Sequence, residues 1–320
     1  MPSKKSLTGE SGRESNNMNS SFELRMCGNY YELVHEGEKF LTSAGCPDPA
    51  ADARLLLFFV MGWNLTDYAL QGGQPCENDK AEKFLRLVER RMAREPVQYI
   101  TGTASFFGYD FHVTPDVLIP RFDTETLVES VLPHIKSGDR ILDMCTGSGC
   151  IAITIFLMSA NAGKTVSVTA SDISVAALDM ARENAAALGA QITAVRSDLF
   201  ERILGTYDII TVNPPYIETD VIGTLDPEVR LFEPHLALDG SNDGLTFYRR
   251  IVREAGDYLA PGGLLALEIG FDQSEAVEEL MRAESFANVR TVRDLSGNAR
   301  CVLGYAAENA ADAACGLENI

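Results

Sequence analysis

The chain has 320 residues, of which 46% are hydrophobic and 23% charged, and its formal net charge is −19. That balance fits a soluble globular protein large enough for two domains. It excludes a membrane-spanning helix, since no apolar run approaches the roughly 18 residues required, and it argues against a direct grip on nucleic acid, which needs a basic stripe to neutralise phosphates. The seven cysteines, Cys27, Cys46, Cys76, Cys145, Cys150, Cys301 and Cys315, are odd in number and lack paired metal-ligand spacing. They predict free thiols in a reducing cytoplasm and no metal site.

Residues 1–28 are polar, without periodic apolar positions and without the apolar centre of a secretory signal, so a disordered tail is expected. Over residues 29–95 the spacing turns helical, through Leu33, Phe40 and Leu41, then Ala53 and Leu55 to Phe58, then Phe84, Leu85, Leu87, Val88 and Met92. Breaks at Gly45-Cys46-Pro47, Gly72-Gly73 and Pro96 divide this small helical domain. Residues 96–120 alternate aromatic and β-branched residues around glycines, as in Tyr99-Ile100-Thr101-Gly102 and Phe106-Phe107-Gly108-Tyr109, and predict a β-hairpin linker. Asp123 and Thr124 then open a helix through Leu127 and Val131.

From residue 121 to 305 strands and helices alternate, which predicts a mostly parallel seven-stranded sheet covered on both faces, an α/β architecture. The expected strands are Arg140–Met144, Thr165–Ser171, Ile192–Arg196, Tyr207–Val212, Gly263–Ile269, Asn288–Asp294 and Cys301–Gly304, with helices at Ser174–Leu188, Leu245–Tyr258 and Gln273–Ala283. Residues 306–320 are Ala-rich with scattered acids and read as a C-terminal tail.

Chemistry gathers at the strand ends. The first strand runs into Cys145-Thr146-Gly147-Ser148-Gly149, a small-residue turn whose glycines let a ligand approach the backbone. Its spacing departs from the dinucleotide pattern G-x-G-x-x-G. The second ends at Asp172-Ile173-Ser174, where a carboxylate can accept from both hydroxyls of a ribose, although capping the next helix is a competing role that Ser174 fits as well. The third ends at Asp198-Leu199, an acid and an apolar flank suited to the amino edge and the face of an adenine.

The fourth strand ends at Asn213-Pro214-Pro215-Tyr216. Asn213 precedes a proline and is pushed out of the α region, while Pro215 holds φ near −65°. Two prolines remove two backbone donors. The Asn213 side-chain oxygen and the Pro214 carbonyl remain as acceptors on a stiff loop, with Tyr216 as a flat surface beside them, which makes a receptor for a planar –NH2 group. At this point a nucleobase and an amide are equally good occupants.

A nucleoside site and an amino-group receptor on one rim resemble the class I S-adenosylmethionine-dependent methyltransferases, with a Rossmann-like sheet, that act on amide or exocyclic amino nitrogens. The resemblance narrows upstream and downstream. Arg94-Glu95-Pro96-Val97-Gln98-Tyr99-Ile100-Thr101-Gly102, Phe107-Gly108, Val117-Leu118-Ile119-Pro120-Arg121, Asp123-Thr124-Glu125, Phe232-Glu233-Pro234 and Asp294-Leu295-Ser296-Gly297 are similar to the signature of the HemK/PrmC family, over roughly residues 30 to 305. Those enzymes methylate the glutamine of the Gly-Gly-Gln motif in peptide chain release factors, in translation termination. The resemblance implies that Cys145 to Gly149, Asp172, Ile173, Asp198, Leu199 and Asn213 hold S-adenosyl-L-methionine, and that Asn213, Pro214, Pro215 and Tyr216 hold the substrate amide, with Asn213, Pro214 and Tyr216 catalytic. It also implies a release factor as partner, with the helical domain as its second contact, no direct nucleic acid or membrane partner, and a cytoplasmic monomer. The chain departs from the family at Cys145 and Ser241, where glycine is usual, and at Phe122 in place of proline.

Two alternatives remain. A DNA or RNA adenine amino-methyltransferase uses the same Asn-Pro-Pro-Tyr logic on a flipped base, against which stand the net charge and the missing basic recognition insert. A non-catalytic adaptor would not need an intact Asn-Pro-Pro-Tyr beside Asp172 and the two turn glycines.

Overall fold

A computed structural model describes residues 28–308. The expected tails, 1–28 and 306–320, therefore fall outside the described residues apart from Gly28 and 306–308, as do Cys27 and Cys315.

Four helices come first: α1 (Tyr30–Ser43), α2 (Pro49–Met61), α3 (Leu65–Gln71) and α4 (Asn78–Met92). Asn29 caps α1 by accepting from the Glu32 N–H at 3.0 Å, and Asn64 and Asp67 form a reciprocal capping box on α3. The helical stripe Leu33, Val34, Leu41 of α1 meets Leu56 and Leu57 of α2 and Phe84 and Val88 of α4 in one small core. At its edge lies a buried ion cluster. Arg91 of α4 reaches Asp52 of α2 at 2.6 Å and Glu228 at 2.9 Å, far along the chain.

The expected hairpin over 96–120 is corrected in part. Residues Val97–Thr101 form a one-turn helix, α5, which follows Pro96, buries Val97, Tyr99 and Ile100, and stops at Gly102 with φ +76°. Burial of Val97 and Ile100 against the helical core, and of Tyr99 against Ala104, Val113, Val117 and Ile119, outweighs the β-like texture of the residues. The hairpin is confined to β1 (Thr103–Phe106) and β2 (Tyr109–His112). Residues 113–121 form no regular element, and the Tyr99 hydroxyl holds them down by donating to the Val117 carbonyl at 2.7 Å.

There follow α6 (Phe122–Val131), β3 (Arg140–Met144), α7 (Cys150–Asn161), β4 (Ser167–Asp172), α8 (Val175–Leu188), β5 (Ile192–Arg196) and β6 (Tyr207–Val212). Two short helices absent from the sequence reading come next, α9 (Thr219–Ile222) and α10 (Pro227–Phe232), then α11 (Thr246–Tyr258), β7 (Leu259–Glu268), α12 (Ser274–Ala283), β8 (Ala287–Arg293) and β9 (Ala299–Tyr305). The seven strands form one sheet in the order β5-β4-β3-β6-β7-β9-β8, parallel except where β9 runs antiparallel to both neighbours. This is the mostly parallel α/β sheet expected.

Alternation along the strands builds two cores. Ile141, Ile209, Leu264 and Leu303 face α6 and α7, whereas Leu142, Ile210, Leu265 and Val302 face α11 and α12. The chain moves outward from β3 to β5, then returns to place β6 on the other side of β3. The carboxyl ends of β3 and β6 thus flank the point where strand order reverses, the place where open α/β sheets leave a crevice.

Candidate active site

A cavity of about 420 Å³ opens at this crevice. Its lining includes Cys145, Thr146, Gly147 and Ser148 from the turn after β3, Asp172 and Ile173 after β4, Asp198 and Leu199 after β5, and Asn213 and Pro215 after β6. Four strand ends therefore supply one cavity. Of the remaining sequence-expected residues, Gly149 is the N-cap of α7 behind the turn, and Pro214 and Tyr216 are not among the lining residues.

The turn is braced from beneath by Asp143, the fully buried penultimate residue of β3. Its carboxyl accepts from the Thr146 hydroxyl at 2.5 Å and the Thr211 hydroxyl at 2.9 Å. Burial pushes that carboxyl up to about 7, the two hydroxyls working in the opposite direction. Cys145 adopts φ +57°, a left-handed conformation that costs a residue with a Cβ roughly 1–2 kcal/mol. Burial, with Asp172 and Asp143 nearby, raises its thiol well above the usual range, so it stays protonated. At Gly147 (φ +52°) a Cβ would meet nothing within 4 Å, so the bare α-carbon faces open space.

Asp172 is already organised. Its Oδ2 accepts from the Gly147 N–H at 3.0 Å and its Oδ1 from the Ser174 N–H at 2.9 Å. Burial raises its carboxyl against those two bonds. Helix α8 is capped instead by the Ser174 hydroxyl, which accepts from the Ala177 N–H at 3.2 Å. Asp172 is thereby free of the capping role and keeps acceptor capacity toward the cavity. Asp198 accepts from Arg250 of α11 at 3.0 Å, and Phe247 of the same helix also lines the cavity. The arrangement matches a nucleoside with a short polar tail: a rigid acid for a diol, apolar Ile173 and Leu199 for a ring, and bare backbone at Gly147. The Ser171 hydroxyl beneath it is buried with no hydrogen-bond partner.

Asn213 sits on the opposite side of the turn. Its Nδ2 donates to Thr124 Oγ1 of α6 at 3.4 Å, which leaves Oδ1 as the acceptor for a ligand. Tyr216 belongs to the floor behind the cavity. Its hydroxyl donates toward Glu268 Oε1 at 3.5 Å, and burial raises its own ionisation far above the ordinary phenol range. Its carbonyl accepts from Gln273 Nε2 at 3.0 Å. Gly240 and Gly244 press on its backbone so closely that a Cβ on either would come within 2.7 and 2.3 Å of Tyr216 atoms. The Asn-Pro-Pro-Tyr loop is therefore clamped from behind as well as stiffened by its prolines.

Sequence reasoning missed several contributors. Residues 115–120, expected to belong to a linker, form a wall of the cavity through Pro115, Asp116, Val117, Leu118 and Pro120, which Arg121 continues. An ion pair between Arg121 and the buried Glu233 fastens that wall to the segment after α10. Thr124 and Glu268 were missed too. A readable sign of Glu268 was its charge at the end of the apolar run Leu264-Leu265-Ala266-Leu267, the same placement that drew attention to Asp172 and Asn213.

Among the described residues no side-chain cluster could hold a metal ion, and no helix is long and apolar enough to cross a membrane. Residues 32–102 match the family model described as the PrmC N-terminal domain, and residues 121–225 match the one described as the methyltransferase small domain. The release factor glutamine methyltransferase of Agrobacterium fabrum is 42% identical over 84% of this chain and 94% of that protein. The enzyme of the same name from Moorella thermoacetica is 40% identical over 87% of this chain and 98% of that protein. A solved structure, the release factor-specific protein-(glutamine-N5) methyltransferase of Alicyclobacillus acidocaldarius, is 34% identical, covers 62% of this chain and 99% of that chain, and has a TM-score of 0.36.

Proposed function

The chain belongs to the release factor glutamine methyltransferase family, and we infer from that membership that it moves a methyl group from S-adenosyl-L-methionine to the side-chain amide nitrogen of the glutamine in the Gly-Gly-Gln motif of peptide chain release factors. The observation that carries the inference to this molecule is that Asn213, its nitrogen tied to Thr124, lines the same cavity as Asp172 and the turn at Cys145 to Ser148. An amide receptor and a nucleoside receptor share one enclosure.

The bound cofactor supplies an electrophilic methyl group on sulfonium sulfur. In this reading Asp172 holds the ribose diol, Ile173, Asp198 and Leu199 surround the adenine, and Cys145 to Gly149 give backbone contact to the polar tail. A primary amide is a poor nucleophile, because its nitrogen lone pair is delocalised into the carbonyl. Accepting both N–H bonds, one at Asn213 Oδ1 and one at the Pro214 carbonyl, fixes the amide plane and directs the nitrogen along one line of attack. Orientation of this kind can supply up to about 7–11 kcal/mol. Pro215 and the clamped Tyr216 keep the two acceptors still.

The helical residues 29–95 are read as the domain that recognises the body of the release factor, residues 96–120 as the linker and residues 121–305 as the methyltransferase domain. The Arg91–Glu228 ion pair supports a fixed relation between the first and last of these. The net charge of −19 favours a protein over a nucleic acid as the direct partner. The reading includes action as a monomer in the cytoplasm.

The test is incubation with labelled S-adenosylmethionine and a release factor, its Gly-Gly-Gln variant with alanine for glutamine, or DNA. Label on the glutamine-bearing release factor alone is expected. Label on DNA, or on the alanine variant to the same extent, would overturn the reading.

A further inference from the structure

Beyond β6 the carboxyl rim of the sheet carries three large apolar side chains that the cavity does not use. Phe122, the first residue of α6, is 78% exposed, Phe271, in the turn between β7 and α12, is 67% exposed, and Leu295, in the turn between β8 and β9, is fully exposed. Because β9 runs antiparallel to both of its neighbours, the β8–β9 turn comes back to the same rim as the end of β7. None of the three lines the cofactor cavity. Strand order accounts for that: the residues assigned to the nucleoside follow β3, β4 and β5, on one side of β6, whereas β7, β9 and β8 lie on the other.

A single exposed leucine or phenylalanine needs no explanation. These three are distinguished by the backbone beneath them. Arg300 of β9 holds all three segments: its guanidinium binds Asp123, beside Phe122, at 2.8 Å and Asp294, beside Leu295, at 2.9 Å, and its carbonyl accepts from the N–H of Ile269, two residues before Phe271, at 2.8 Å. Asp294 also accepts from the N–H groups of Ser296 and Asn298, both at 2.9 Å, which closes the turn under Leu295. The same segments are joined to the amide receptor. Thr124, two residues after Phe122, accepts from Asn213 at 3.4 Å, and Gln273, two residues after Phe271, donates to the Tyr216 carbonyl at 3.0 Å. The apolar rim is therefore continuous with the Asn-Pro-Pro-Tyr loop. We propose that Phe122, Phe271 and Leu295 are the surface on which the release factor seats the polypeptide next to its glutamine, an assignment that rests on the methyl-transfer reading above. The cofactor takes the β3 to β5 side of Asn213, which leaves the β7 to β8 side for that polypeptide. Two glycines before the glutamine offer no side chain to grip, so grip has to come from apolar residues around them, and apolar anchors on a fixed backbone supply it with little ordering cost. Each anchor has an aspartate as chain neighbour, Asp123, Asp272 and Asp294. Three carboxylates around the one cation Arg300 suit a protein and repel a phosphate backbone.

The experiment is steady-state methylation of full-length release factor by the wild type, Phe122→Ala, Phe271→Ala, Leu295→Ala, the triple variant and a control, Leu204→Ala, whose exposed leucine precedes β6 at the opposite rim of the sheet. All the substituted side chains are exposed, so the variants keep the fold. Each rim variant should raise KM for release factor roughly threefold to thirtyfold, and the triple variant more, with kcat and S-adenosylhomocysteine affinity unchanged, the pattern of binding lost equally from ground and transition states. The control should match the wild type. An unchanged KM in the triple variant, a rise that Leu204→Ala equals, or a loss confined to kcat or cofactor affinity would overturn the proposal. So would a wild type that sediments as a dimer beside a monomeric triple variant of unchanged KM, since a second copy of the chain would then cover the rim. These failures leave methyl transfer to release factor standing. A wild type that transfers no methyl to release factor overturns the functional reading and the proposal with it.

Discussion

Asn213 Nδ2 donates to Thr124 Oγ1 at 3.4 Å, linking the end of β6 to the first turn of α6 across 89 positions of sequence. The contact gives the asparagine amide a direction, and the account of catalysis depends on that direction more than on any charge in the cavity.

Replacing Asn213 by alanine removes one of two acceptors for the substrate amide. Methyl transfer should fall on the order of 10²–10³-fold, as for other single preorganised polar groups at a reacting centre. Affinity for S-adenosylhomocysteine, measured by calorimetry, should change far less, because Asp172 and the Gly147 turn remain. A variant that keeps its transfer rate would remove Asn213 from the proposed chemistry.

Asp172→Asn should show the reverse division. The carboxylate holds the Gly147 and Ser174 N–H groups at 3.0 and 2.9 Å and faces the cavity. Losing a charge-assisted acceptor for the ribose should weaken cofactor binding roughly tenfold to a hundredfold, with kcat at saturation reduced much less. Titration calorimetry showing unchanged affinity would place the nucleoside elsewhere.

Stability should depend on pH through the two buried carboxyls, Asp143 and Glu268, both pushed up to about 7 by burial. Each is protonated in the fold at pH values where the unfolded chain has released the proton, near the ordinary carboxylate range. The folded state therefore binds more protons between roughly pH 4 and 7. The stability that these two groups contribute is fully present below that window and is lost as pH rises through it. Glu268→Gln removes one of the two responses, so its melting temperature should gain on that of the wild type between roughly pH 5 and 8. Parallel curves would contradict the assignment of a raised, proton-binding Glu268.

Much of this was legible in the sequence. Paired apolar residues such as Ile141-Leu142 and Ile209-Ile210 are what a strand covered on both faces requires, and the sheet formed where they predict it. The turn after β3, Asp172 and Asn213 were visible because each follows such a run. What was hidden depends on contacts that no local pattern encodes. Thr124 looked like a helix opener, Glu268 meets Tyr216 across 52 positions, and Arg250 became a partner of Asp198 only once α11 packed against the segment after β5, where Phe200 stacks on Tyr258. Tyr99 read as a strand residue because its burial against Val113, Val117 and Ile119 is a tertiary effect.

Ser241 stands where the HemK/PrmC family usually has glycine, and its φ is +72°. A residue with a Cβ is strained there by roughly 1–2 kcal/mol, while glycine costs about 0.5–1 kcal/mol more unfolded-state entropy. Ser241→Gly should thus stabilise the protein by up to about 1 kcal/mol, and Ser241→Val should destabilise it by more. Chemical denaturation checks both signs, and a glycine variant less stable than wild type would show that the serine side chain makes up for its strain.

The most direct measurement is a crystal structure with S-adenosylhomocysteine and a peptide containing Gly-Gly-Gln. The account predicts the glutamine amide nitrogen within hydrogen-bonding distance of both Asn213 Oδ1 and the Pro214 carbonyl, with Asn213 Nδ2 still on Thr124 and the nucleoside diol on Asp172. A glutamine side chain bound away from Asn213, or an Asn213 that presents its nitrogen to the substrate, would contradict it.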